Sequence, residues 1–307
     1  MTRTVLMPLL LGALLAAAHP ADAQRRRDRD REDRIARIDT TLAFSRGGIV
    51  ELDGPDGDII VSGWDRDEVR IRAMSEEGDL HLDATPSRIQ LKALGMGWSD
   101  VRYEVSVPAG TRLLLNGRST TLVVRGTRGD VEAQTQNGDI SISDATSVQV
   151  NALNGDVELR TVDRVRVNLV AGDVRIDGGG GPVEVVTVSG DVELRGMSAR
   201  EVAAGTSSGE VFFEGTIDPR GRYELTSHSG NVVVRLPADV SAAVTLQTYA
   251  GEIESDFPIH LQGGATMGGH PRSFDFRIGS GGARITMTSF SGAVRLERAG
   301  NPNRQEK

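Results

Sequence analysis

The sequence predicts an all-β fold, a β-solenoid of about 12 short two-stranded rungs with a period of 17–21 residues. Three observations carry that expectation. A corner spelled small-or-amide residue, Gly, Asp, then apolar–x–apolar recurs as NGDISI at Gly138, NGDVEL at Gly155, AGDVRI at Gly172 and SGDVEL at Gly190. It returns in variant form at Gly209, Gly230, Gly251 and Gly292. Between corners, apolar residues alternate with polar ones, as in Val148, Val150 and Ala152, then Val157 and Leu159, then Val165, Val167 and Leu169; this is the signal of half-buried strands. Finally, aromatic residues are only 4% and glycines number 37 in 307 residues, which suits a thin core of Val, Ile and Leu. A meander of antiparallel hairpins would show the alternation as well. It would not require matching residues to return at a fixed spacing, whereas a coil that revisits one corner does.

Taken in order, residues 1–23 read as a secretory signal. Arg3 supplies the basic start, Val5 to Ala18 the apolar run, and Ala21-Asp22-Ala23 a small–x–small cleavage site before Gln24. The run of about 14 residues is short of the roughly 20 that span a bilayer, so no transmembrane segment is expected after cleavage. With no Cys in the chain, neither a Cys-linked lipid anchor nor a disulfide is expected. Residues 24–39 read as a charged, disordered linker, dominated by RRRDRDREDR. Residues 40–298 read as one β-solenoid domain, and 299–307 as a polar tail.

Within the domain, Gly is needed at each corner because a tight turn after Asn or Ser calls for positive φ. Glu77-Gly78-Asp79-Leu80 repeats the corner spelling and predicts another rung. Gly129 falls out of the column, which places it on the opposite edge. On that edge the links lengthen along the chain, from Thr161–Arg164 to Gly215–Arg222. In repeat proteins such insertions cluster on one face, often the binding face. Residues 256–272 break the period, and the interval from Gly251 to Gly292 reads as about two rungs.

The corner acids Asp139, Asp156, Asp173 and Asp191 fall in one column. In-register stacking spaces them about 5 Å apart, so they are the candidates for a cation-binding edge. The competing reading has each acid satisfying backbone N–H groups at its turn, and no metal site is assigned. His81, His228, His260 and His270 share no metal-ligand spacing, and the acids are dispersed one per rung, so no catalytic residues and no cofactor are expected. Trp98, in Gly95-Met96-Gly97-Trp98-Ser99, is the candidate ligand residue; Trp64, in Gly63-Trp64-Asp65, reads as packing. The net charge of −8 repels phosphate and argues against nucleic acid.

Gly57-Asp58-Ile59 followed by Gly63-Trp64-Asp65, the Val107-Pro108-Ala109-Gly110 segment and the serial NGD/SGD corners together resemble the bacterial "putative adhesin" family of exported β-solenoids, long catalogued as a domain of unknown function. The resemblance covers about residues 40–298. It implies an exported, stacked β protein of the cell envelope and carries over no catalytic residue. The expected function is therefore a non-enzymatic binding or scaffolding surface, periplasmic, surface-bound or secreted. Its partner would be an envelope component, glycan or protein. The alternatives are a carbohydrate-active enzyme on the same fold and an envelope-stress sensor domain.

Overall fold

A computed structural model describes residues 35–76, 78–94, 100–258 and 272–300. The expected signal (1–23), most of the expected linker and Trp98 lie outside these residues. The described chain forms 22 strands and no helix. Consequently no helix among the described residues is long and apolar enough to cross a membrane.

In chain order the strands are β1 (Ala36–Ala43), β2 (Ile49–Trp64), β3 (Glu68–Ser75), β4 (Asp79–Thr85), β5 (Arg88–Leu94), β6 (Asp100–Pro108), β7 (Arg112–Arg125) and β8 (Asp130–Asn137). There follow β9 (Ile140–Asn154), β10 (Val157–Ala171), β11 (Val174–Gly179), β12 (Val183–Ser189), β13 (Val192–Met197), β14 (Glu201–Ser208), β15 (Val211–Gly215) and β16 (Arg222–Ser229). The last six are β17 (Val232–Leu236), β18 (Ala242–Thr248), β19 (Ile253–Ser255), β20 (Arg272–Ile278), β21 (Ala283–Ser289) and β22 (Val294–Arg298). Strand β1 starts inside the stretch expected to be linker: Ile38 and Leu42 pack against the core, and this recruits residues that composition alone assigns to a charged tail.

The middle of the chain coils as the period requires. Each rung runs along one face, turns at a Gly corner, runs back along a second face and crosses a link to the next rung. Neighbouring rungs pair in parallel: Val157 lies beside Ile140 and Val174, and Val165 beside Val148 and Val183. Inward positions form ladders through the stack. One runs Ile142, Leu159, Ile176, Leu194, Phe213, Val234 and Leu296, all buried. A parallel strand buried on one side by such a ladder gains its stability from apolar area, roughly 25 cal/mol per Å². No single rung could cover its own face.

The Gly corners stack with little space between backbones. A Cβ on Gly172 would overlap the carbonyl oxygen of Gly155, and one on Gly190 that of Gly172; both glycines have positive φ. Buried hydroxyls satisfy several corner carbonyls. Thr206 donates to the oxygen of Gly190 (3.0 Å), Ser227 to Gly209 (2.8 Å) and Ser289 to Gly230 (2.8 Å). The opposite corner also takes left-handed backbone, at Gly126, Asp144, Thr161, Gly178 and Gly196. Gly129 sits on that opposite edge, as expected, between β7 and β8.

Both ends depart from a simple coil. At the N-terminal end β2 lies between β7 on one side and β5 with β6 on the other. The rung expected at Gly78 is instead a hairpin, β4 antiparallel to β5. That hairpin turns at Pro86-Ser87, between Thr85 and Arg88, while Gly78 only leads from β3 into β4; antiparallel β1, β3 and β4 cover the terminus. At the other end β21 enters between β16 and β18, and β22 between β17 and β19; antiparallel β20 covers β18. In space, therefore, Gly292 lies between Gly230 and Gly251.

Candidate functional site

With the core filled by side chains, what the molecule presents is its two outer faces and its corners. Along the Gly corner the four predicted acids come together in one ladder. The N–H of Asp156 donates to Oδ1 of Asp139 (3.0 Å), that of Asp173 to Asp156 (2.9 Å), that of Asp191 to Asp173 (2.8 Å) and that of Glu210 to Asp191 (2.7 Å). Of the two readings of this column, cation edge and turn partner, the second has each acid serving its own turn; the geometry hands each carboxylate to the next rung. Further along, Asn231 donates to Glu210 (3.1 Å) and accepts from the Ala293 N–H (3.1 Å). Among the described residues, no group of three or more His, Asp or Glu side chains converges as a metal site.

Beside this ladder, the face built from β10, β11, β13, β15, β17 and β22 carries a lattice of opposite charges. Glu158, Arg175 and Glu193 occupy one outward column, and Arg160, Asp177, Arg195, Glu214, Arg235 and Glu297 the next. Arg175 and Arg195 both pair with Glu193; Arg195 and Arg235 both reach Glu214 (3.3 and 3.5 Å), and Arg235 reaches Glu297 (3.0 Å). Phe212 lies between the guanidinium groups of Arg195 and Arg235, 4.7 and 5.2 Å from its ring centre. Partial burial alone would push the Glu193 carboxyl up, but hydrogen bonds and charge from Arg175 and Arg195 outweigh it and hold the group below its ordinary 4.5. The lattice floors an open trough of about 980 Å³.

The other outer face is different in kind. Its column nearest the Gly corner runs Gln136, Leu153, Val170, Val188, Ser207, His228, Phe290 and Tyr249 through successive layers. Six of the seven exposed large apolar residues among those described lie on this face: Leu153, Val170, Val186, Val188, Tyr249 and Phe290, each about half exposed (45–51%). The rings at the far end stack, His228 on Phe290 at 4.7 Å and Phe290 on Tyr249 at 4.9 Å. They border a shallow trough of about 260 Å³ with Thr226, Thr288 and Gln247. The next column over is polar and uncharged where Asn168 donates to Asn151 (3.0 Å).

The apolar column was legible but not read. Each of its members sits two residues before a corner Gly, where strand alternation calls for a polar side chain. His228 enters the site through its ring, stacked on Phe290. Trp64 packs as expected, its Nε1–H donating to the carbonyl of Glu68 (2.7 Å) under the Arg66 guanidinium.

The family described as Toastrack DUF4097 matches residues 96–297. No curated protein matches the chain. Among solved structures, the chain is similar to a "putative cell adhesion protein" from Clostridium sporogenes at 9% identity, covering 85% of this chain and 99% of that one, with a TM-score of 0.19. It is similar also to a "putative adhesin" from Bacteroides fragilis at 11% identity, 85% and 96% coverage and a TM-score of 0.37. A "putative adhesin" from Parabacteroides distasonis follows at 8% identity, with the same coverages and a TM-score of 0.35.

Proposed function

The chain belongs to the Toastrack family, a domain of unknown function, and from that premise we propose that it is an exported, non-enzymatic, adhesin-like binding surface of the bacterial cell envelope. The observation that carries this reading is the gathering of half-exposed apolar residues on one outer face. Isolated apolar residues on a surface need no explanation, but a contiguous patch marks a place of contact. The patch lies on paired strands of a stack held by ladders through many layers, so its side chains are fixed before any partner arrives. Such preorganisation reduces what binding must offset. The charged face opposite supports the same reading. Its acids and bases satisfy one another across rungs, which keeps it solvated and unlike the apolar column. Export rests on residues 1–23, and the domain proposed to act is 40–298.

The test uses the full chain produced in a bacterial host. The mature protein should begin at Gln24 and leave the cytoplasm. Purified, it should sediment with isolated cell envelopes, and a Val170→Asp, Val188→Asp double variant should stay in the supernatant while keeping its circular dichroism. Equal sedimentation of the two proteins would remove the apolar face from the function, and retention of residues 1–23 in the cytoplasm would remove export.

A further inference from the structure

We propose that the apolar column is a saccharide-binding site, in which the break at Ser207 seats one sugar ring and the trough beside His228, Phe290 and Tyr249 carries the neutral glycan chain onward. The inference rests on the binding-surface reading above and names its ligand class.

The break has the dimensions of a ring. Val188 and His228 flank Ser207 from either side, two layers apart. At about 4.8 Å per layer, that is roughly 9.6 Å between strands. Phe290 already fills the equivalent interval between His228 and Tyr249, in contact with both. Over β14 the same interval has small side chains beneath it at Ala203, Gly205 and Ser207; the remaining outward residue on that face, Glu201, lies at the opposite end of the strand from Ser207. A Cβ added to Gly205 would meet nothing closer than the Thr226 carbonyl at 3.7 Å. The seat therefore has an imidazole face on one side and the exposed methyls of Val186 and Val188 on the other.

The chemistry of the walls selects the ligand. No Asp, Glu, Lys or Arg lines the ring trough, in a chain of which 25% is charged. Ring surfaces alternate with amide and hydroxyl groups: Thr226, Thr288, Gln247 and Ser207. Thr226 and Ser207 are exposed, and Gln247 and Thr288 partly so. A sugar ring presents the matching pair, flat C–H faces and a rim of hydroxyls. A peptide strand would need an open sheet edge, but β14 is paired on both sides, with β12 and β16. Charge on this face stands two columns from Ser207, where Glu184 and Glu224 flank Ala203, so the ring trough itself offers an ionic ligand no counter-charge.

The experiment titrates the folded mature protein with neutral linear hexasaccharides, cellohexaose, maltohexaose and chitohexaose, by calorimetry at millimolar concentrations. One of them should bind. Ser207→Val, which closes the break, and Phe290→Ala, which opens the ring stack, should each weaken it by about tenfold or more. Far-UV circular dichroism of both variants checks the fold. Absence of binding by all three sugars, or an affinity that Ser207→Val leaves unchanged, would overturn the proposal. Envelope sedimentation separates the two readings. If envelopes still capture the protein and Val170→Asp, Val188→Asp still abolishes capture while no hexasaccharide competes, the surface binds something other than a neutral glycan.

Discussion

The N–H of Asp173 donates to the carboxylate of Asp156, 2.9 Å away on the neighbouring rung. Two like-charged residues in adjacent layers are thereby joined through one backbone group. At about 5 Å in water their repulsion is under ~1 kcal/mol before screening, whereas a hydrogen bond to a charged acceptor contributes about 1.5–3 kcal/mol. The bond wins, and the ladder staples rungs together. Asp156→Ala should therefore lower unfolding stability by about 1–2 kcal/mol, while Asp156→Asn, which keeps an acceptor and loses the repulsion, should stay within about 0.5 kcal/mol of the parent. Urea titration of the two variants decides; equal losses would mean that the hydrogen bond contributes nothing.

The glycine column is less forgiving. Gly190 combines positive φ with a backbone oxygen where its Cβ would be. Gly190→Ala should cost about 3 kcal/mol or more, beyond the 1–3 kcal/mol of left-handed strain alone. A thermal midpoint within a degree of the parent would refute the close stacking of these corners.

Thr161 offers the opposite case. It holds φ at 53°, a region hostile to a β-branched side chain, in a column that otherwise holds Gly126, Asp144, Gly178 and Gly196. Thr161→Gly should stabilise the protein by about 1 kcal/mol, seen as a raised denaturant midpoint at an unchanged m-value.

Tyr223 ties a long link to the core. Its hydroxyl donates to the carbonyl of Ala199 (2.8 Å) and accepts from the Asp218 N–H (2.9 Å), and its ring meets Phe213 edge-on at 5.6 Å. Tyr223→Phe keeps the ring contact but strands both backbone groups, at a cost of about 1–3 kcal/mol. Hydrogen exchange should show the Asp218 amide losing its protection first; an unchanged rate there would contradict the assignment.

Acid should loosen the charge lattice. The Glu193 carboxyl, depressed by its two arginines despite partial burial, stabilises the fold above its ordinary value of 4.5, and this contribution disappears as pH falls through its lower folded value. Glu51, paired with Arg88 and Lys92, acts in the same sense. Stability measured by urea should fall below pH 4.5, and Glu193→Gln should fall less steeply, converging with the parent once the pH lies below the folded value of Glu193. Parallel curves would exclude Glu193 as a contributor.

What could be read from the sequence follows from what a repeat encodes. The spelling around Gly155 or Gly172 fixes the shape of a rung, and so the parallel pairing of β10 with β9 and β11 was legible. It does not encode which rung lies next to which. Gly292 bears the same corner as Gly251, so nothing local announces that the later one sits nearer to Gly230. Gly78 shares the spelling too, yet the strand that follows it, β4, pairs antiparallel with β5 and not in parallel with a neighbouring rung. The acid column was legible as a column, but the direction of its hydrogen bonds depends on the stacking. The apolar face left its mark at Leu153, Val170 and Val188, as residues of the wrong polarity for their place in the strand.

The late entry of β21 between β16 and β18 sets how such a molecule can be made and how it can change. Residues emerging in order can coil only as far as Leu236; the next layer must wait for Ala283 and beyond, where each residue comes 62 positions after the one it pairs with. The C-terminal end thus closes last, when almost the whole chain is present, and an incomplete chain leaves a gap one layer wide. Duplication of a rung is accommodated only between the two closures, where neighbours in sequence are neighbours in space. A copy pasted at either end would have no layer to join. The length of this stack is held by its ends, and its middle is where new surface can be added.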